Sequence, residues 1–469
     1  MINTQYHIAI PAVSFIVRGC RTAEDNRQAD SPFRRNGTPL KAQTINLDKY
    51  TACEGCDLLL PIVESPPGHS TVCPRCGTTI SRRSTHSIVK TLALSATGLL
   101  LYLPSIWLPL MSIESFGFSE SANIVESMVN FYSNGYYFVS LMVLISALIL
   151  PLVLLSLIFT ISLHLRLKRY PSCLTRFFRI YIKLEEWAMV EVYLLGIMIT
   201  IIKMTGHSVI HYHLGMLCFT LLVLVSLTIT TVVDNDFFWR TMEGGETGEK
   251  DRQTDFEIME KDVTVTAAEK KIQLCHTCRK LSPFSTDTCP RCSDTLHRRK
   301  PMSVSRTWAL VITSALFFIP ANLMPIMQVD FLGMPDRSTL LDGIIYFLHT
   351  GSYGIGLIIF IASILVPVFK IVGLTILLLS THPKSVRFLK QKTAMFRFIS
   401  FIGRWSMLDI FVIALLTVLV DFGFFSSIHT APAATYFCFV VALTMLAAIS
   451  FDPRIMWDKY TPPKNNSHD

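Results

Sequence analysis

The chain has 469 residues, of which 51% are hydrophobic and only 16% are charged, and its formal net charge is +8. Soluble domains carry about 25% charged residues, so this chain has too few charges to cover a water-soluble surface, and its apolar residues lie in runs long enough for a bilayer. This composition excludes a soluble enzyme, a disordered scaffold and a collagen-like fibre.

The N-terminal segment, residues 1–49, is mostly polar, and we expect it to form a tail without a packed core. Its short apolar run, residues 8–17, is followed by Arg18 and by no small-residue cleavage site. These features do not match a secretory signal.

Two Cys-x-x-Cys pairs follow the tail and predict a zinc ribbon over residues 50–84. Cys53 and Cys56 are separated by 16 residues from Cys73 and Cys76. Each pair presents two thiolates at a turn, and two such pairs complete a tetrahedral four-thiolate site.

A second set of pairs predicts another ribbon over residues 272–300. Here Cys275 and Cys278 are separated by only 10 residues from Cys289 and Cys292. We expect one structural Zn in each ribbon, although rubredoxin-like iron would use the same four thiolates. Disulfides are disfavoured if both ribbons face the reducing cytoplasm, and a dithiol redox site would normally need a single pair in a βαβ context.

Eight apolar stretches predict membrane-spanning helices, four after each ribbon. They cover residues 89–113, 137–163, 187–203, 214–233, 307–329, 354–380, 405–420 and 435–450. The fold class is therefore an all-α polytopic membrane protein with two tandem four-helix blocks, each preceded by a cytoplasmic four-Cys ribbon. Transmembrane blocks at 85–233 and 301–451, a charged linker at 234–271 and a tail at 452–469 complete the organisation.

Lys and Arg are concentrated in alternate loops, which predicts the orientation. The loops after the second and sixth spans each hold six basic residues, whereas residues 114–136 and 421–434 hold none. Because cytoplasmic loops carry the excess of Lys and Arg, we expect both termini, the linker and both ribbons to be cytoplasmic.

The two halves repeat each other. The segment beginning Leu103-Pro104 aligns with that beginning Ile319-Pro320 at an offset of 216, and Trp187–Glu191 aligns with Trp405–Asp409 at an offset of 218. Four spans per half give both halves the same orientation, as in parallel-repeat transporters.

Three ionisable residues within predicted spans are candidate transport residues. Lys370 lies in the sixth span and Asp409 near the start of the seventh. Such residues tend to mark substrate or proton pathways, although a buried pair that only joins two helices is the alternative. Glu191 is the first-half counterpart of Asp409, whereas the counterpart of Lys370 is Leu154, so ion-coupled chemistry is expected in the second half.

Motifs for nucleotide hydrolysis or covalent catalysis are missing from the sequence, which contains no P-loop, Rossmann glycine pattern or nucleophile elbow. We therefore expect no enzymatic activity and no nucleic-acid partner.

The paired four-Cys modules, together with Ile319–Ile326, Gly403-Arg-Trp-Ser-Met-Leu-Asp-Ile410 and Phe451-Asp-Pro-Arg454, resemble the paraquat-inducible protein A family from about Thr51 to Asp458. The resemblance implies a protein of the bacterial inner membrane paired with a periplasmic MCE-domain protein, which forms a lipid-conducting tunnel across the envelope. In that family the second four-span block opens a cleft beneath the tunnel, so Lys370, Ser406 and Asp409 are expected in or near it.

The leading hypothesis is a subunit that passes phospholipid between the bilayer and the tunnel and so maintains envelope integrity. A redox- or metal-responsive membrane sensor, acting through the four-Cys modules, is the alternative. A small-molecule efflux transporter is a third reading, which only the number of spans suggests.

Overall fold

The structure is a computed structural model. It describes residues 44–45, 47, 50–62, 69–82, 87–115, 118–171, 173–188, 190–204, 209–246, 256–257, 265–331, 334–349, 351, 353–381, 388–403, 408–419 and 426–458. The predictions for the N-terminal tail before residue 44, for Ser406 and for the last residues of the C-terminal tail lie outside these ranges.

The fold is mostly helical, as predicted, and within the described residues every α-helix of the first half except the last has a counterpart in the second. Those of the first half are α1 (Ser87–Trp107), α2 (Ile124–Ser133), α3 (Tyr137–Val143), α4 (Leu150–Arg166), α5 (Cys173–Glu185), α6 (Val190–Met204), α7 (Leu214–Val232) and α8 (Asn235–Glu246). Those of the second half are α9 (Ser303–Leu323), α10 (Leu340–His349), α11 (Tyr353–Phe360), α12 (Val366–Leu379), α13 (Leu389–Ile402), α14 (Leu408–Leu419) and α15 (Ala433–Ser450).

A π-helical segment joins α3 to α4 and another joins α11 to α12, at Leu144–Ile149 and Ile361–Leu365. Each lies just before a proline, Pro151 or Pro367, in the first turn of the following helix. Proline has no N–H to donate to the preceding turn, and a π-segment is one way for a helix to continue through such a site. The two halves therefore share this irregularity at corresponding positions.

Six helices among the described residues are long and apolar enough to cross a membrane, against eight predicted spans. At the third and seventh predicted spans, α6 has 15 residues and α14 has 12. At about 1.5 Å per residue the described parts of these helices cover ~22 Å and ~18 Å, less than the ~30 Å of a bilayer's hydrocarbon core. The third predicted span begins later than expected, because Trp187 lies in a turn before α6.

The first and fifth predicted spans end earlier than expected, because their last residues form strands. Met324 is extended immediately before Pro325, the conformation that a following proline favours. In the first half, α1 ends at Trp107, just before Pro109. The chain then enters strands at Met111–Ser115 and Met327–Phe331.

Among the described residues, twelve of the fourteen short strands form small antiparallel sheets in the ribbons and at the ends of the spans, which the all-helical prediction did not include. The ribbons contain β1 (Tyr50–Ala52), β2 (Leu59–Pro61), β3 (Ser70–Val72), β4 (Thr79–Arg82), β8 (Ile272–Leu274) and β9 (Leu281–Pro283). The ends of the spans remote from the ribbons carry β5 (Met111–Ser115), β6 (Phe118–Ala122), β7 (Val209–Tyr212), β10 (Met327–Phe331), β11 (Met334–Ser338) and β12 (Ser426–Thr430). A two-residue pair, Thr44–Ile45 with Phe256–Glu257, lies outside these sheets.

The three-stranded sheets of the two halves have the same topology. Their strand orders are β6-β5-β7 and β11-β10-β12. Met111 pairs with Ala122 and Tyr212, and Met327 pairs with Ser338 and Thr430. Met111 and Met327 are 216 residues apart, the offset of the sequence repeat, and they occupy the same position in the register of the two sheets.

The two halves meet through their short helices, α6 and α14. The ring of Tyr193 packs edge-on against Phe411 at 5.1 Å between centroids. Gly196 brings the backbones close, because a Cβ atom there would lie 3.2 Å from the Cβ of Phe411. The interface is built from helices that the internal repeat relates to each other.

We expect Gly215→Ala to destabilise the protein, because α7 begins against the end of α1. A Cβ atom at residue 215 would overlap the carbonyl oxygen of Pro109 and lie 2.7 Å from that of Leu108. Backbone atoms cannot rotate away, so a loss of about 1–3 kcal/mol is expected, as for other overpacked sites. Thermal unfolding in detergent measures it. Gly343→Ala is the matched control, because nothing lies within 4 Å of its added methyl, and equal midpoints for the two variants would contradict the prediction.

Candidate metal centres and intramembrane charges

All four Cys-x-x-Cys pairs adopt one turn geometry. The residue after the second Cys has a left-handed φ, between 56° and 75°, and its N–H donates to the carbonyl of the first Cys at 2.8–3.0 Å. These four residues are Asp57, Gly77, Arg279 and Ser293. Only one is glycine, the residue that adopts this conformation without strain. The turns therefore hold both sulfurs of each pair on one side at some cost in backbone strain.

The sulfurs form two compact four-thiol clusters, one in each ribbon. Facing sulfurs lie 3.4 Å apart for Cys53 and Cys76 and 3.5 Å for Cys275 and Cys292. A tetrahedral Zn with Zn–S bonds of about 2.3 Å sets its sulfurs ~3.8 Å apart. All eight Cys are buried, and the four sulfurs of each cluster lie within 4.8 Å of one another. Each cluster can therefore hold one metal ion, and the donor set fits Zn and iron alike.

Ribbon 1, which precedes the first block in sequence, packs against the second block. Arg397 of α13 donates to the carbonyl of Gly77 in the second Cys turn. Arg75 stacks over the ring of Trp457 at 4.6 Å, and that indole donates to Thr393 at 3.0 Å. The cysteines of ribbon 1 share a hydrophobic cluster with residues of α12, α13 and the C-terminal segment.

Ribbon 2, which precedes the second block, packs against the first. Arg179 of α5 donates to the carbonyls of Cys292 and Ser293 at 3.2 and 3.0 Å. Glu243 of α8 is paired with Arg291 at 2.6 Å and with Lys280 at 2.8 Å. Helix α8 falls within the predicted charged linker, and it buries Phe238, Trp239 and Met242 in the core of the first block.

Each ribbon therefore packs against the block of the opposite half, an arrangement that we call crossed docking. The internal repeat relates the contacts of one ribbon to those of the other. Arg179 and Arg397 are 218 residues apart, and the carbonyls that they bind, Ser293 and Gly77, are 216 apart. Arg179 and Arg397 each belong to one of the two basic loops predicted from the sequence, and each lies on the helix that this segment forms. The ribbons and these loops therefore lie on the same side of the protein. The strands β5–β7 and β10–β12 lie at the other side.

A buried ion network joins both ribbons to the C-terminal segment. Arg454 is 2% exposed and pairs with Asp452 at 3.0 Å, and Arg299 pairs with Asp57 at 2.9 Å. Burial acts to raise the pKa of Asp452, but Arg454 outweighs it and holds the pKa at about 2. Burial lowers the pKa of His276 to about 4, so a neutral imidazole can accept from Arg454 at 2.9 Å.

Lys370 is the only one of the predicted transport residues whose side chain is described as fully buried. It lies within α12, four residues after Val366 at the start of that helix. Asp409 lies in the first turn of α14, but its side chain is outside the described part of the chain, as is all of Ser406. The pairing of Lys370 with Asp409 stays a prediction.

The first block contains a cavity at the position that the repeat makes equivalent. Leu154, the counterpart of Lys370, and Glu191, the counterpart of Asp409, both line one cavity between α4, α5, α6 and α7. Two residues far apart in sequence therefore face one space in the first block, and the repeat predicts the same for their second-block counterparts.

Sequence reasoning did not identify the docking residues Arg179, Arg397 and Trp457 or the ion network around Arg454. The internal repeat could have indicated some of these residues, because Arg179 and Arg397 occupy equivalent positions in the two halves, as do Trp239 and Trp457. Nothing in sequence spacing indicates that each ribbon would contact the other half.

Comparison with known proteins agrees with the tandem architecture. A family described as "Paraquat-inducible protein A" matches residues 88–243 and again residues 304–461. The chain is 30% identical over 418 residues to the Intermembrane transport protein PqiA of Escherichia coli (strain K12), covering 88% of this chain and 96% of that protein.

Two further relatives match a similar share of the chain. The Lipophilic envelope-spanning tunnel protein A of E. coli (strain K12) is 30% identical over 417 residues, 88% of this chain and 92% of the relative. A Probable intermembrane transport protein of Haemophilus influenzae is 28% identical over 436 residues, 91% and 99% respectively. No solved structure matches the chain.

Proposed function

The chain belongs to the paraquat-inducible protein A family, and on that basis we propose that it is the inner-membrane subunit of an intermembrane phospholipid transport system. It passes lipid between the inner membrane and a periplasmic tunnel of MCE-domain protein, maintains envelope integrity and catalyses no reaction. The observation that carries this proposal is the match of nearly nine-tenths of the chain to relatives named for intermembrane transport or as an envelope-spanning tunnel protein.

We assign the ribbon side of the protein to the cytoplasm and the opposite side to the periplasm. Arg179 and Arg397 belong to the two basic loops, and short loops rich in Lys and Arg remain cytoplasmic. Both ribbons contact these arginines. The two three-stranded sheets would then face the periplasm, where the tunnel mouth lies.

Within this proposal the second block carries the transport chemistry. Lys370 is a fully buried lysine in an apolar helix, and an ionisable residue at such a position in a membrane is a candidate functional residue. The first-block cavity shared by Leu154 and Glu191 supports an arrangement in which Lys370 and Asp409 face one space. That space is the proposed site of proton coupling, if transport is driven.

The alternative sensor hypothesis loses support from the burial of the thiols. Redox-sensing cysteines are solvent-accessible, whereas the eight cluster cysteines are at most 2% exposed. The same burial suits structural metal sites.

The test is mass spectrometry of the lipid and metal retained by protein purified in mild detergent. Lys370→Ala/Asp409→Ala should retain severalfold less phospholipid than the wild type, with two metal ions per chain in both, because the substrate path would lose its charged pair. Lys390→Ala, at an exposed position on α13, is the control and should behave as wild type. Equal amounts of phospholipid in all three proteins would contradict a role of Lys370 and Asp409 in transport and would leave them only a structural role between helices.

A further inference from the structure

The two ribbons also contact each other directly. Ala52, immediately before the first Cys of ribbon 1, and Leu274, immediately before the first Cys of ribbon 2, lie in one small hydrophobic cluster. The backbone adds to this contact, because Leu58 forms an antiparallel bridge with Thr266, in the segment that leads into ribbon 2. The ribbons therefore share a small core of their own, in addition to docking on opposite blocks.

One residue of each ribbon reaches across to the other, and the two residues occupy the same place in their turns. Asp57 and Arg279 each follow directly after the second Cys of the first pair, and both have the left-handed φ described above. The N–H of each donates to the carbonyl of the first Cys in its own pair. Since this turn also positions two metal-ligand sulfurs, its order and metal binding depend on each other.

The guanidinium of Arg279 holds ribbon 1 at two points. It donates to the carboxylate of Glu54, which lies between the two Cys of the first pair, at 2.8 and 3.4 Å. It also donates to the carbonyl of Ile80 in β4 at 2.6 Å. One side chain of ribbon 2 therefore joins the first Cys turn of ribbon 1 to the strand that follows its second Cys turn.

Asp57 makes the corresponding contacts in the other direction. Its backbone carbonyl accepts from Ala267 at 2.9 Å, and its carboxylate accepts from the N–H of Ala268 at 3.1 Å and from Arg299 at 2.9 Å. The side chain is only 4% exposed, so water cannot readily replace these partners. Displacing the turn would leave buried polar groups unpaired, which is costly.

We propose that the two metal sites are energetically coupled, so that a metal ion bound in one ribbon raises the affinity of the other ribbon for its own ion, and that Asp57 and Arg279 carry the coupling. Loss of either ion loosens the turn from which one of these side chains starts, and so weakens contacts that order the other ribbon. In small metal modules the binding free energy is also folding free energy, so a less ordered ribbon binds its metal more weakly. The inference concerns the metal centres and does not depend on the proposed function.

Coupling of this kind is reciprocal. If the ion in ribbon 2 raises the affinity of ribbon 1 by some factor, the ion in ribbon 1 must raise the affinity of ribbon 2 by the same factor. Coupled sites typically differ by about 5–150-fold between the two states. We expect about tenfold here, because the contacts of Asp57 are buried whereas the pair of Arg279 and Glu54 is partly exposed.

The test is a zinc titration of the full-length protein in detergent, with free Zn²⁺ set by a chelator buffer. Alkylation followed by peptide mass spectrometry reports the protection of the cysteines of each ribbon separately. Cys292→Ser should raise about tenfold the free Zn²⁺ at which ribbon 1 is half protected, and Cys76→Ser should raise the value for ribbon 2 by the same factor. Both substitutions lie in the second Cys pair, away from the turns of Asp57 and Arg279.

A second variant keeps all eight ligands and does not depend on the folding of the serine variants. Arg279→Gln should raise the free Zn²⁺ at half protection of ribbon 1 at least threefold, although the substitution is in ribbon 2. Lys280→Gln is the matched control, because it is the next residue and its ion pair has the same 2.8 Å length but is made with Glu243 of α8. It should leave the titration of ribbon 1 unchanged.

Three results would overturn the proposal. The first is a ribbon 1 titration that Cys292→Ser leaves unchanged, since the sites would then be independent. The second is a clear difference between the two reciprocal factors, which would indicate local damage in place of coupling. The third is an equal effect of Arg279→Gln and Lys280→Gln on ribbon 1, which would remove Arg279 from the pathway.

Discussion

Cys278→Ser should reduce the metal content from two ions per chain to one and sharply lower the amount of folded protein. Its sulfur lies 3.4 Å from that of Cys289, inside a cluster with no other described metal-ligand residue. Structural Zn contributes about 10–16 kcal/mol of apparent binding free energy in small zinc modules. Loss of one ligand therefore removes a large part of what orders ribbon 2.

The metal count is measured by inductively coupled plasma mass spectrometry on the purified protein, and it also identifies the metal. Cys173→Ser is the matched control, because Cys173 is exposed and outside both clusters. Cys53→Ser should remove the other ion. Two ions in the Cys278 variant would show that the cluster is not a metal centre.

Arg454→Ala should destabilise the protein by about 3–5 kcal/mol, the usual effect of removing one partner of a buried ion pair. Arg454 and Asp452 are each 2% exposed, so the carboxylate of Asp452 would remain buried beside an empty space. Lys183→Ala removes a bridge to Asp294 in which the lysine is 58% exposed, and such a surface pair contributes at most about 1 kcal/mol. Denaturant or thermal unfolding in detergent compares the two.

A double-mutant cycle separates the ion pair from packing. Arg454→Ala/Asp452→Ala should recover part of the loss, because no unpaired charge is left in the interior. The folded pKa of Asp452 is about 2, below its ordinary value, so its contribution is complete above that ordinary value and is lost only as pH falls towards 2. The effect of Arg454→Ala should therefore be constant between pH 6 and 8. An effect equal to that of Lys183→Ala would contradict the assigned role.

The sequence predicted the two-block helical architecture and the two four-Cys clusters, because each has a local or periodic origin. Apolar runs of about 20 residues need no knowledge of tertiary contacts, and a Cys-x-x-Cys turn brings its own two sulfurs together. The ends of α1 and α9 were predicted less well. The strands after Pro109 and Pro325 are stabilised by pairing with β7 and β12, which lie about 100 residues later in the chain.

The crossed docking could not be predicted for a different physical reason. A ribbon's contacts depend on shape and hydrogen bonding across hundreds of residues, as between Arg397 and Gly77, and neither composition nor spacing encodes them. The packing of α6 against α14 is similar, because Tyr193 and Phe411 are ordinary apolar residues of their helices when considered alone.

The crossed docking also sets an order for biosynthesis. Ribbon 2 emerges from the ribosome after its partner helices α5 and α8 are already made. Ribbon 1 must wait for Trp457, which is 381 residues beyond Cys76, and at roughly 5–20 residues per second the delay is about 20–80 s. During this interval the first block and ribbon 2 are completed, but the helices α12 and α13 against which ribbon 1 packs are made only late in it. The docking of ribbon 1 is therefore the last long-range step of folding, and a chain truncated before α13 can never complete it.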